Sequence, residues 1–295
     1  MQIETAPFRV RYADTDAEAV AYYGSYFSWF EMGLIQLLEE LGLSMPEMDA
    51  RGCVAVAAET LARYRRPARY DELVFVRSRI AQAAAKRARI EHEVVRVADG
   101  QVLATGADAR VLAGLPDDGQ WEGASALPLP DGVLAAADER VERIEPLSRR
   151  AEGILGPLPP GARSHTAEFR VRYAETDAQG IAYYGSYYTW FEAGRGELGH
   201  AVGMPYAELE RHGYVLPVAE AFCRYYTPLL PCERFHITTS VPALGKAKIT
   251  FANHITSLDG QRQVADGYTI HACTRRDGRP QGLPLEVVEH YGPAV

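Results

Sequence analysis

Two aspartates carry the chemistry most worth weighing: Asp177, in RVRYAETDAQGIAYYGSYYTWFE (170–192), and Asp16, in RVRYADTDAEAVAYYGSYFSWFE (9–31). Seventeen of these 23 positions are identical, at a fixed offset of 161 from residue 9 to residue 170. In each copy the acid stands on a loop. A Tyr-Tyr-Gly-Ser run, 22–25 or 183–186, then enters a helix. A helix N-terminus presents unpaired backbone N–H groups and the positive end of its dipole. A carboxylate about seven residues upstream can act as general base or nucleophile beside a ready oxyanion site. Acyl transfer needs those two parts and no Ser-His pair. Each part also has a structural reading. An Asp before a helix commonly closes a turn, and tyrosines pack cores. Ser25 and Ser186 read as N-caps, since neither stands in a G-x-S-x-G setting.

Other chemistries find less support. None of the eight histidines recurs as His between the copies, and no H-x-x-x-H pair exists, so a metal site shared by both copies is not expected. There is no G-x-x-x-x-G-K-[ST] loop. The four cysteines, Cys53, Cys223, Cys232 and Cys273, form no CxxC pair and read as buried thiols. A net charge of −8 with scattered Lys and Arg argues against a nucleic-acid partner. No apolar run reaches about 18 residues, so no membrane span is expected. The start, MQIETAPFRV, lacks the basic and apolar parts of a secretory leader, and the reading is cytoplasmic.

The elements that position the acids follow from periodicity. FRVRYA alternates and reads as a strand, with a loop from Asp14 to Gly24. Tyr26, Trp29, Phe30, Gly33, Leu34, Leu37, Leu38 and Leu41 then form one helical stripe, and Gly42 is a plausible stop. In the second copy Tyr187, Trp190, Phe191, Gly194 and Leu198 repeat it. Extended runs follow: VAVAAETLARY, ELVFVRSRI, RARIEHEVVRV and VLATGADARVL. One helix followed by several strands predicts an antiparallel sheet packed on that helix, an α+β fold. RGCVAVAAETLARYRRP (51–67) is matched by HGYVLPVAEAFCRYYTP (212–228), so Glu59, Arg63 and Tyr64 recur as Glu220, Arg224 and Tyr225. Short helical stretches close the copies at 129–141 and 283–291. The predicted domains are 1–144 and 167–295, joined by an exposed Pro- and Gly-rich linker, 145–166, with a further loop over 115–126.

The pattern V-R-Y-x-[DE]-T-D-x-x-G-[IV]-x-Y-Y-x-x-Y-x-x-W-F-E resembles the opening motif of the hotdog-fold acyl-CoA thioesterases, closest to the 4-hydroxybenzoyl-CoA thioesterase and YbgC-like branch. The resemblance covers each copy nearly end to end. It implies two fused hotdog domains, each a long helix wrapped by a curved antiparallel sheet, packed as a pseudo-two-fold pair with active sites at their interface. It makes Asp177, and Asp16 in copy one, the catalytic carboxylate. It assigns the oxyanion N–H groups to Tyr184 and Gly185, and to Tyr23 and Gly24. Substrate contacts would come from Tyr183, Tyr187, Trp190, Glu192 and Gly180. Lys246, Lys248, Arg87 and Arg89 would meet CoA phosphates. No cofactor is implied beyond coenzyme A as part of the substrate.

The copies differ. Copy two has Gly180, Arg195 and Glu197 where copy one has Ala19, Leu34 and Gln36. If residue 180 needs a positive φ, Ala19 adopts it at a cost, so Asp177 is the favoured acid. The leading function is hydrolysis of acyl-CoA or aryl-CoA thioesters. The alternatives are an acyl-carrier-protein thioesterase, other hotdog chemistry such as dehydration, and a non-catalytic acyl-CoA-binding protein. One chain already forms the two-copy unit, as a monomeric pseudo-dimer or as half of a homodimer.

Overall fold

The apolar stripe of residues 26–41 becomes helix α1 (Ser25–Glu40), and its repeat becomes a second helix of equal length over Ser186–Ala201. The computed structural model describes residues 1–116, 121 and 123–293. These fall into two compact units, Met1–Leu147 and Ser148–Val295.

In the first unit, β1 (Gln2–Glu4) and β2 (Phe8–Arg9) precede α1. After it come α2 (Met45–Ala50), β3 (Cys53–Tyr64), β4 (Leu73–Ala83), β5 (Arg87–Arg96), β6 (Val102–Gly114), β7 (Ser125–Ala126), α3 (Asp131–Ala136) and β8 (Glu139–Arg140). The main sheet runs β1-β4-β5-β6-β3 with every neighbour antiparallel. Leu34, Leu37 and Leu38 of α1 pack on Ile80, Ala88 and Ile90 of β4 and β5. Burial of each such side chain contributes about 1.5–3 kcal/mol. Two glycines let helix and sheet approach. A Cβ on Gly33 would collide with the Ser78 hydroxyl, and one on Gly106 would lie 2.5 Å from the Phe30 ring. The helix ends where Gly42 takes φ +71° and donates its N–H to the Glu39 carbonyl at 2.9 Å.

The second unit repeats this plan. Its elements are α4 (Ala151–Ile154), β9 (Ser164–Arg170), α5 (Ser186–Ala201), α6 (Tyr206–Arg211), β10 (Tyr214–Val215), β11 (Val218–Tyr225), β12 (Arg234–Leu244), β13 (Lys248–Ser257), β14 (Gln263–Ala272), β15 (Thr274–Arg275) and α7 (Leu285–Tyr291). The sheet runs β11-β14-β13-β12-β9, again antiparallel, and β10 pairs with β15. Each unit is thus the helix-on-sheet hotdog layout that the resemblance implies.

Beneath the helices the copies differ in polar content. In unit one the Ser78 hydroxyl bonds His92 Nδ1 at 2.7 Å, and Arg110 donates to Asp108 at 2.9 Å. Burial alone would raise the Asp108 carboxyl, but Arg110 and His92 outweigh it and hold it below the usual carboxylate value. In unit two Thr239 donates to Asn253 at 2.8 Å, while His271 Nδ1 meets the Leu216 carbonyl at 2.7 Å. Burial, and then the charge of Arg195, push His271 well below its ordinary value, so it is held neutral.

Several expectations are corrected. The strand expected over FRVRYA stops early: β2 ends at Arg9 and β9 at Arg170, and 3-10 turns follow at Tyr12–Asp14 and Tyr173–Glu175. The cause is local. Arg11 and Arg172 fold back onto Asp14 and Glu175 three residues on. Ser25 and Ser186 are not caps but first helical residues, with Gly24 and Gly185 at the N-cap. The stretch 145–166 is not a uniformly exposed linker. It contains α4 and the start of β9, and Leu147, Ser148 and Ala151 are buried. Cys232 is exposed, at a left-handed turn position with φ +64°. Of the loop expected over 115–126, residues 117–120 and 122 lie outside the described residues, and 125–126 form β7.

Two stability outcomes follow. Gly180 has φ +73° with open space where a Cβ would stand, and Ala19 holds φ +57° at the matching position. Gly180→Ala should cost about 1 kcal/mol and Ala19→Gly should gain less than that, measured by urea unfolding. For His271, the unfolded ring titrates near pH 6.5 and the folded ring well below it. Between those values the unfolded chain binds the extra proton, so this contribution is complete above about pH 6.5 and is lost as pH falls. Unfolding profiles should weaken below pH 6.5, and His271→Gln should flatten that slope.

Candidate active site

Asp177 sits at the first corner of a tight turn. A bridge from Thr176 to Ala182 closes the base of the turn. The Asp177 N–H donates to the Ile181 carbonyl at 3.0 Å, and the Gly180 N–H to the Asp177 carbonyl at 3.1 Å. Its Oδ1 accepts the Gln179 N–H at 2.9 Å. Copy one repeats the design, with Thr15 bridged to Ala21 and Asp16 Oδ1 accepting the Glu18 N–H at 2.9 Å. The structural reading of these aspartates therefore holds, since they do shape a turn. A carboxylate that shapes a turn through one oxygen can still serve as a base, since it offers about four lone-pair sites. Asp177 is half-buried and Asp16 exposed.

The turn is tied to the helix start by one carbonyl. The Glu175 carbonyl accepts the Tyr183 N–H at 2.8 Å and the Ser186 hydroxyl at 3.0 Å. The buried Glu175 carboxylate is itself held by the Arg172 backbone N–H at 2.8 Å and by its guanidinium. Asp14 does the same for Tyr22 and Ser25, at 2.8 and 3.0 Å. This is what the serines contribute. Next along the chain, the Tyr184 carbonyl accepts the Tyr225 hydroxyl at 3.0 Å, and the Tyr23 carbonyl accepts that of Tyr64 at 2.8 Å. Gly185 is buried, and among the described residues no acceptor meets its N–H.

The other residues expected at the site divide. Tyr183 is half-buried, and its ring lies over Gly185, where a Cβ would come within 2.5 Å of it. Tyr184 is buried, and Gly180 is exposed on the Asp177 turn. Tyr187 and Trp190, expected to face substrate, are instead core residues. The Tyr187 ring lies tilted against Trp190 at 4.7 Å and edge-to-face with Tyr225 at 5.0 Å, and Trp190 lies tilted against Phe235 at 4.6 Å. Glu192 is exposed on α5. Lys246 and Lys248 are exposed at the β12–β13 turn. Arg87 pairs with the buried Glu59 at 3.5 Å, while Arg89 pairs with Glu91 at 2.9 Å. Arg89 also lines a cleft of about 380 Å³ with Arg63, Arg77 and Arg79. That cleft, and an apolar cavity of about 50 Å³ beneath α1, belong to unit one and include neither Asp16 nor Gly24.

Rival groups fit catalysis less well. Ser78, His92 and Asp108 come in the order of a hydrolytic triad, with His92 Nε2 3.6 Å from Asp108, but all three are closed from solvent and the Phe30 ring stacks on His92. Glu220 is buried, accepts the Tyr268 hydroxyl at 2.7 Å and pairs with Arg150 at 3.5 Å. Among the described residues, no group of three or more His, Cys, Asp or Glu stands together as metal ligands would. Sequence reasoning missed the roles of Tyr64 and Tyr225. Their recurrence at matching positions was the available signal.

Comparison with known proteins gives this geometry a family. The profile of the thioesterase-like superfamily matches residues 10–136 and again 171–290. A protein of Aquifex aeolicus that carries a provisional esterase name is 32% identical over 120 residues, 41% of this chain and 91% of its own length. Bacillus subtilis YneP, provisionally named an acyl-CoA thioesterase, is 31% identical over 110 residues, 37% of this chain and 79% of its own. The crystal structure of the 12:0-ACP thioesterase of Umbellularia californica aligns over 92% of this chain and 94% of its own, with a TM-score of 0.68 at 13% identity, a likeness of fold alone. With the acid-bearing turn and the helix start standing in both matched segments, the chain belongs to the thioesterase-like superfamily and carries one hotdog domain of that family in each half.

Proposed function

We propose that this protein is a thioester hydrolase acting on acyl or aryl thioesters of coenzyme A, with Asp177 as the working carboxylate. One observation carries the reading: in a thioesterase-like domain, the Asp177 turn and the Gly185 N–H, which meets no acceptor among the described residues, are locked to the same helix start. In the general-base form, Asp177 takes a proton from water as the water oxygen attacks the thioester carbon. The carbonyl oxygen becomes an oxyanion facing the backbone N–H groups of Tyr184 and Gly185 at the positive end of α5. Collapse breaks the C–S bond, the acid product leaves, and the coenzyme A sulfur takes up a proton. In the nucleophilic form, Asp177 attacks the carbon itself, the C–S bond breaks and coenzyme A leaves as its thiol after taking up a proton, and water then cleaves the mixed anhydride to release the acid and restore the carboxylate. Neither form needs a metal or a redox group.

Copy two is favoured because Gly180 accepts the left-handed turn without strain, whereas Ala19 does not. Lys246 and Lys248 extend from a strand turn of the same unit and suit the phosphates of coenzyme A. A carrier-protein thioester is the second reading, because the same pantetheine arm would enter the same site.

The test is thiol release from a panel of aryl-CoA, fatty acyl-CoA and acyl-carrier-protein thioesters. Release from CoA esters supports the reading. Release from carrier thioesters alone transfers it to the second reading, and release from none overturns both. Lys246→Ala with Lys248→Ala should raise KM for a CoA ester severalfold and leave kcat unchanged, because phosphate contacts bind ground and transition states alike. The same pair should leave KM for the matching pantetheine ester unmoved.

A further inference from the structure

We propose that Tyr225 is a positioning residue that aims and strengthens the Gly185 N–H, one of the two oxyanion donors of copy two, and that Tyr64 is built to do the same for the Gly24 N–H in copy one. The inference rests on the thioesterase reading for its functional meaning and on geometry for its mechanism. The carbonyl that accepts the Tyr225 hydroxyl belongs to Tyr184, so it lies in the same peptide unit as the Gly185 N–H. Among the described residues no peptide bond is cis, so in this planar unit the C=O and N–H point in opposite directions. Holding the carbonyl toward β11 therefore fixes the N–H on the other side. Donation into the carbonyl also draws electron density through the amide, which makes its N–H a stronger donor.

Further observations bear on this peptide and on the tyrosine that holds it. Buried backbone N–H groups are seldom left unpaired, yet the buried Gly185 N–H meets no acceptor among the described residues. The Tyr183 ring covers Gly185 so closely that a side chain there would push the peptide out of line. The tyrosine that holds the carbonyl is itself held, by the edge of Tyr187 at 5.0 Å in copy two and of Tyr26 at 5.2 Å in copy one. Both copies use a tyrosine 41 residues beyond the carbonyl it holds, at 2.8 Å in copy one and 3.0 Å in copy two. Burial keeps the Tyr64 phenol protonated, far above its ordinary value, as a donor requires.

The test uses the full chain with 15N-labelled glycine. Tyr225→Phe removes one hydroxyl and keeps the ring packing. Its kcat should fall about tenfold or more, with KM within about twofold of wild type. The Gly185 amide proton should move upfield while the melting temperature changes little. Fluorotyrosine at 225, a more acidic donor, should move that proton downfield, and it serves if the Phe variant does not fold. An unmoved Gly185 amide, or a loss confined to KM and thermal stability, overturns the inference. If wild type cleaves no thioester, the function proposed above fails, and the amide shift alone then decides whether the tyrosine acts through the peptide.

Discussion

The whole site hangs on one backbone oxygen. The Glu175 carbonyl receives both the Tyr183 N–H and the Ser186 hydroxyl, and so ties the end of a 3-10 turn to the start of a sixteen-residue helix. Arg172 keeps that turn closed by gripping the Glu175 carboxylate from two sides. The seven residues between Glu175 and Tyr183 have little freedom left, and their tight turn puts Asp177 at its corner. The motif acids thus split their labour. Glu175 is buried and paired, and shapes the loop. Asp177 is half-buried and stands at the corner of the turn.

The second constraint is contact between helix and sheet. Gly33 and Gly194 bring the helices down onto Ser78 and Thr239, while Gly106 and Gly267 make room for Phe30 and Phe191. Small side chains under the helix leave polar atoms buried, and buried polar atoms must be satisfied. The copies fill this layer differently: an Arg110–Asp108 ion pair with His92 beside it in one, and Thr239–Asn253 and His271–Leu216 hydrogen bonds in the other. A duplicated fold has kept its packing rule and changed its electrostatics. The turn tells the same story, since copy one keeps the left-handed corner with Ala19 in place of glycine.

Much of this was legible in the sequence. The repeat at a fixed offset exposed the two domains, and the 3.6-residue stripe located both ends of α1, and the start of α5, to within a residue. The sequence raised a positive φ at Gly180 only as a condition, and the structure has it there and at Ala19 alike. What stayed hidden depends on side-chain direction. Ser25 looks like a cap by position, yet its hydroxyl turns back to the Asp14 carbonyl. Tyr187 and Trp190 stand at the site in sequence but point into the core. Tyr225 is remote in sequence and acts through a backbone atom, which no residue pattern encodes. The early end of β2 and β9 reflects an Arg–acid pair three residues apart, which overrides an alternating strand pattern.

The most direct test of the central claim compares kcat for Asp177→Asn and Asp16→Asn on the CoA ester that wild type cleaves best. Asparagine keeps the turn hydrogen bond and removes the base. The account predicts a loss of about 10²–10⁴-fold for Asp177→Asn, with most of the activity kept in Asp16→Asn. Full activity in Asp177→Asn would contradict it.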